Sequence, residues 1–196
     1  MLVKKIDKEQ RLLDASLELF LDNGFNNVSI DQICKKAQIA KGTFYLYFKD
    51  KDDILQGVLN RESKIIIINL FTQTIKQENL NLEKRILYFT NLAIDYFIEH
   101  KSLLALFKRN FALPITLNDI HNDDNHEIKE VVDSFINDTE LSKKYDTETI
   151  YKLIYIVIEM IGSVAYSSIC LNTPGPIEEI KPMILEIANT IFNDIK

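Results

Sequence analysis

The residues best equipped to do chemistry lie together between positions 41 and 47. Lys41, Thr43, Tyr45 and Tyr47 bring one cation and three hydroxyls to a single short stretch, and Gly42 leaves its backbone bare. A lysine is a point charge for a phosphate, and a threonine can donate to a base edge or touch a thymine methyl. Each tyrosine offers a hydroxyl and a flat face. Glycine lets the backbone approach a surface where a side chain would collide. Phe44 and Phe48, four apart on a helix of about 40–47, should point to the other side and anchor it. A helix with one greasy face and one face of donors suits the major groove of DNA.

The charge distribution agrees. The net charge is −6, yet Val28 to Lys51 holds five lysines against two aspartates, which leaves +3 on that segment and −9 on the rest. A basic tip on an acidic body suits a protein that touches phosphate with one end only.

Three helices must position this face. Residues 8–23 repeat apolar side chains at helical spacing through Leu13, Leu17, Phe20 and Leu21, and Asn23-Gly24 then stops the helix. Ser29 opens a second helix as N-cap, and Gln32 completes a capping box. Ile30, Ile33, Cys34 and Ala37 form its buried face. With the third helix this predicts a helix-turn-helix at 29–48. Asp50, with Asp53 three residues on, caps a fourth helix running to about Gln77. Helical spacing continues over 82–100, 102–111, 127–139, 147–171 and 177–194. With four prolines, five glycines and no strand alternation, the fold class is all-α.

The block from Ile39 to Leu55, which includes Lys41-Gly42-Thr43-Phe44-Tyr45-Leu46-Tyr47-Phe48 and Lys51, resembles the recognition-helix signature of the TetR family of bacterial transcription repressors. The upstream residues Ala15, Phe20, Gly24, Val28-Ser29-Ile30-Asp31-Gln32-Ile33 and Ala37 share the likeness, which spans about 8–55. It implies a helix-turn-helix DNA-binding domain over 1–50 and a helical ligand-binding and dimerisation domain over 51–196. It further implies that Ser29 and Lys51 contact phosphates, while Lys41, Gly42, Thr43, Tyr45, Leu46 and Tyr47 lie against the major groove. Leu46 stands where the family often has histidine, so its contact would be apolar. Gln38 replaces the usual turn glycine, and Ala40 replaces the usual serine or threonine cap. The implied partners are a double-stranded palindromic operator, a second copy of the chain and a small-molecule effector, with the fourth helix as the lever between pocket and head.

One recognition helix reads too few bases for useful specificity, so a symmetric pair is expected. The helices of about 147–171 and 177–194 are the candidates for pairing: with Ile150, Leu153, Ile154, Val157, Ile158, Ile161 and Ala165 on one and Ile180, Met183, Ile184, Ile187, Ala188, Ile191 and Phe192 on the other, each is more apolar than one face against its own core requires, and a two-fold interface would bury the excess. The middle helices are rich in aromatics, which read first as core. A ligand pocket among them would draw on Tyr96, His100, Phe107, Asn110, Tyr155, Glu159 and Ser163. Glu159 can bind a cationic ligand, face a partner subunit or reach solvent.

Other functions find less support. The chain lacks a phosphate loop, a Rossmann glycine pattern and a zinc-protease helix motif, so no enzyme and no cofactor are expected. The stretch 118–126 holds ligand-type residues but not the glycine and glutamate pattern of a calcium loop, and reads as a solvated acidic loop, with no metal expected. Leu153 to Leu171 is long enough to span a membrane; Glu159, Gly162 and three serines favour a buried interface helix instead. The N-terminus lacks the apolar run of a signal peptide, and Cys34 and Cys170 sit among apolar residues as reduced thiols; both point to the cytoplasm.

Overall fold

The computed structural model describes residues 2–77, 80–108, 126–138 and 141–194, and every regular element among them is helical. They form two compact units, Met1–Glu62 and Ser63–Lys196.

The first unit is built on α1 (Leu2–Asn23), α2 (Ile30–Ala37), α3 (Lys41–Phe44) and the start of α4 (Lys51–Ile75). Gly24 takes φ 76° and ends α1, as a glycine stop should. A single 3₁₀ turn, Phe25–Asn27, follows it, an element the sequence pattern does not announce. It tucks Phe25 against Phe20 at a ring separation of 5.1 Å. The capping box is formed: Ser29 N donates to Gln32 Oε1 at 2.7 Å, and Ser29 Oγ accepts from Gln32 N at 3.3 Å. α4 opens on a reciprocal aspartate pair. Asp50 Oδ1 accepts from Asp53 N at 2.8 Å, and Asp53 Oδ2 accepts from Lys49 N at 2.7 Å.

The units divide within α4, not in front of it at residue 50. The physical reason is packing. Ile54, Leu55, Val58 and Leu59 are fully buried, and a side chain at Gly57 would meet Leu13 Cδ2 and Phe48 Cε1 at 3.1 Å each. Arg61 adds an ion pair to Asp14 at 2.6 Å. The first three turns of α4 therefore belong to the small N-terminal core.

The second unit contains the rest of α4, α5 (Leu82–Glu99), α6 (Lys101–Lys108), α7 (His126–Asp138), α8 (Leu141–Lys144), α9 (Thr147–Leu171) and α10 (Ile177–Asp194). The single turn α8 is invisible in the sequence pattern; it forms because Leu141 is fully buried. Asn81 caps α5 through Lys84 N, and Asp146 caps α9 through Thr149 N. α9 ends on Asn172, whose φ of 54° is the left-handed conformation asparagine tolerates. By length and composition α9 could cross a membrane. In the fold it packs against α5, α6, α8 and α10. Polar pins join the helices: Lys181 Nζ meets Asp95 Oδ1 at 2.5 Å, and the buried Tyr151 hydroxyl donates to Asp133. That hydroxyl is held well above the ordinary tyrosine pKa by burial first, then by the Asp133 carboxylate.

Candidate nucleic-acid interface

α3 is a short helix with two different sides. Phe44 is fully buried and Phe48 nearly so, their rings 5.9 Å apart, which fixes the segment to the core of its unit. The regular helix ends at Phe44, earlier than the periodicity suggests. The chain then tightens, with Leu46 N bonding Thr43 O and Tyr47 N bonding Phe44 O at 3.1 and 2.9 Å. Outward, Tyr45 is 51% exposed and Leu46 79%, with Lys41 and Gly42 exposed and Thr43 and Tyr47 half-buried. A side chain added at Gly42 would meet nothing within 4 Å, so that stretch of backbone is open.

Lys41, Lys51 and the Ser29 hydroxyl are already engaged. Lys41 Nζ pairs with Asp31 Oδ1 at 2.8 Å, and that carboxylate raises the lysine pKa above its ordinary value. A phosphate reaching Lys41 must replace Asp31. The Ser29 hydroxyl donates to Gln32 Oε1 at 2.9 Å, so a phosphate there must displace Gln32. Lys51 is turned inward. Its ammonium donates to Phe25 O and Val28 O at 2.8 Å each and stands 4.3 Å from the Phe25 ring centroid. An ammonium has three donors, and this geometry leaves one for a phosphate.

Arg11 escapes any reading of the sequence. Its guanidinium donates to Ala37 O at 2.5 Å and Gln38 O at 3.3 Å, holding the turn between α2 and α3 from α1. Gln38 occupies the left-handed conformation, φ 55° and ψ 45°, at the position where glycine is usual in such turns. Ala40 precedes α3 in extended geometry with no side-chain cap. Cys34 lies buried beneath this face, and burial pushes its thiol pKa up.

The family profile described as "Bacterial regulatory proteins, tetR family" matches residues 12–58, the segment that carries this face. The head, residues 12–58, is of the type found in the tetR family of bacterial regulatory proteins. The family is one of regulators, not of enzymes. Among curated relatives, the fatty acid metabolism regulator protein of Bacillus subtilis is 32% identical over 121 residues, covering 60% of this chain and 62% of that one. The first curated relatives are matched over only 37% to 62% of their own length, less than two thirds. In fold, the chain is similar to a TetR transcriptional regulator from Rhodococcus sp. RHA1, with TM-score 0.67, 17% identity and coverage of 98% and 100%. It is also similar to FadR from Bacillus subtilis solved in complex with stearoyl-CoA, with TM-score 0.54, 18% identity and coverage of 95% and 99%.

The ligand-pocket candidates other than Asn110 lie in the second unit. Among the described residues, two small cavities lie between α4, α5 and α9, the second also lined by Phe135 and Phe192, and neither is lined by Tyr96, His100, Phe107, Tyr155, Glu159 or Ser163. Tyr96 and His100 stack on each other at 4.1 Å at the end of α5, with His100 exposed. Phe107 is buried in packing away from both cavities. Tyr155, Glu159 and Ser163 share a stripe four residues apart, whereas the cavity face of α9 carries Ile154, Val157, Ile158 and Ile161. Asn110 and positions 118–125 lie outside the described residues, and no metal-holding cluster occurs among the described ones.

Ile150, Leu153, Ile154, Val157, Ile161 and Ala165 of α9, and Ile184, Ala188 and Phe192 of α10, are buried in the chain's own bundle. The apolar side chains left over on these helices are Ile156, Leu171, Met183 and Ile187, each about half exposed.

Proposed function

We propose that the chain is a cytoplasmic transcription repressor that binds a palindromic operator as a homodimer and is released by a small-molecule effector. The observation that carries this reading is the outward face of α3. A fully seated Phe44 backs an open Gly42, a half-exposed Tyr45 and a Leu46 exposed to 79%. A rigid, exposed apolar-and-donor face is a surface built to be covered. Lys41 supplies phosphate attraction, Thr43, Tyr45, Tyr47 and Leu46 read or touch bases, and Ser29 and Lys51 add phosphate contacts at the rim.

Pairing of two heads would use the outward faces of α9 and α10, where Met183 and Ile187 lie four apart on one stripe. The effector would occupy the apolar space between α4, α5 and α9, in line with the acyl-CoA seen in the FadR structure. α4 belongs to both units, so an effector that favours one position of its second half shifts the population of head positions.

The test is binding of the purified chain to the DNA upstream of its own gene, followed by fluorescence anisotropy across a salt series. Lys41→Ala should weaken binding to all duplexes and flatten the salt dependence, and Thr43→Ala should change the ranking of operator variants. Wild-type binding by both variants would reject this face. Ile187→Glu should yield a monomer that no longer holds the palindrome; a monomer that binds it as tightly as wild type would refute the dimer.

A further inference from the structure

α3 can read a groove only if the turn before it holds one angle. Ile39 and Ala40 are all that separate the left-handed Gln38 from the first residue of α3. Few backbone angles lie between the two helices, and each of them swings the whole face from Lys41 to Tyr47. The turn carries neither local device that would fix it. Its left-handed residue is a glutamine, not a glycine, and Ala40 offers no side-chain oxygen to the free N–H groups of α3.

The hold comes from α1. One nitrogen of Arg11, Nη2, bridges two consecutive carbonyls, donating to Ala37 O at 2.5 Å and to Gln38 O at 3.3 Å. α2 ends at Ala37, where carbonyls have no partner within the helix and the dipole favours a cation. Seven positions on, the same side of α1 carries Glu18, which pairs with Lys36 of α2. α1 therefore grips the end of α2 at two points, and of the two Arg11 is the one that reaches past the helix into the turn. Its other amino nitrogen, Nη1, lies 4.0 Å from Asp7 Oδ2. Both amino groups thus face partners within the head.

We propose that Arg11 is a positioning residue for DNA recognition: by bridging the carbonyls of Ala37 and Gln38 it fixes the angle of α3, and so it governs discrimination between sequences, not attraction to phosphate. This rests on the DNA-reading face proposed above. Without the bridge the turn loses its outside support, while Lys41 and Lys51 keep their charges and the head still meets any duplex.

The experiment uses the purified full chain, a duplex from upstream of its own gene and a shuffled duplex of the same composition, read by fluorescence anisotropy across a salt series. Arg11→Met keeps an apolar stem and removes the donors. It should weaken the upstream duplex about tenfold and leave the shuffled one within about twofold, with the salt slope of wild type. Hydrogen exchange at the Gln38 and Ile39 amides should quicken in the absence of DNA. Adding Gln38→Gly should recover at least about threefold of the lost discrimination, because glycine takes the left-handed conformation without a hold. Arg11→Lys keeps the charge but not the planar bridge, so it should lose discrimination as well; it carries the test if Arg11→Met fails to fold. A salt slope lower by about one, with both duplexes weakened alike and lysine restoring them, makes Arg11 a phosphate contact and overturns the inference. A lower melting point with discrimination unchanged overturns it too, and leaves the DNA-reading face standing. Equal binding of the two duplexes by wild type overturns that face and this inference together.

Discussion

The turn between α2 and α3 is held in two ways that a substitution can improve. Gln38 sits at φ 55° and ψ 45°. A side chain in that region costs about 1–2 kcal/mol, because Cβ crowds the following carbonyl. Glycine removes the crowding and gives back about 0.4–1 kcal/mol through a freer unfolded chain, so Gln38→Gly should stabilise by roughly 0.5–1 kcal/mol. Ala40 stands at φ −65° and ψ 141°, the extended geometry of a cap, with no side-chain oxygen to use it. Ala40→Ser supplies one for the free N–H of Gly42, worth about 1 kcal/mol. The two sites are neighbours, so their gains need not add in full. At about 2–4 °C per kcal/mol for a chain of this size, the double variant should melt roughly 3–6 °C higher by far-UV circular dichroism. Gln38→Val should melt lower, since a β-branched side chain is worst placed at positive φ. A Gln38→Gly variant that melts below wild type would refute the argument, because the left-handed turn would then need something only glutamine provides.

Three further outcomes follow from named contacts. Gly57→Ala should cost about 1 kcal/mol net, a helix-propensity gain near 1 set against about 1–3 for pressing 3.1 Å onto Leu13 and Phe48; an unchanged melting point would show that the approach is looser. Asp31→Asn should free Lys41 and tighten binding to any duplex at low salt, with the gain fading as salt rises; equal affinity across the series would show that the pair does not compete with phosphate. The Tyr151 hydroxyl, held above its ordinary pKa of 10.0, binds its proton more tightly in the folded chain. It therefore contributes stability that is complete below pH 10 and lost as pH climbs further, and Tyr151→Phe should remove that alkaline slope in denaturant melts.

The sequence by itself determined most of the head. The capping box at Ser29 and Gln32, the glycine stop at Gly24, the Asp50–Asp53 cap and the inward Phe44 and Phe48 are local features, decided by residues within four positions of one another. Local rules also placed α9 and α10 to the residue. Tertiary structure alone decided what the long-range partners do. Arg11 reaches Gln38 across 27 positions, Lys51 reaches Phe25 across 26, and neither reach leaves a periodic trace. The bundle was less legible for a different reason. α9 is apolar on nearly every side, so helical spacing defines several equivalent stripes and cannot say which turns inward. Packing against α5, α6, α8 and α10 turned Ile154, Val157, Ile158 and Ile161 toward the two cavities among the described residues, whose linings do not include Tyr155, Glu159 or Ser163. The reading face was written in adjacent residues; the cavity was decided only when distant helices met.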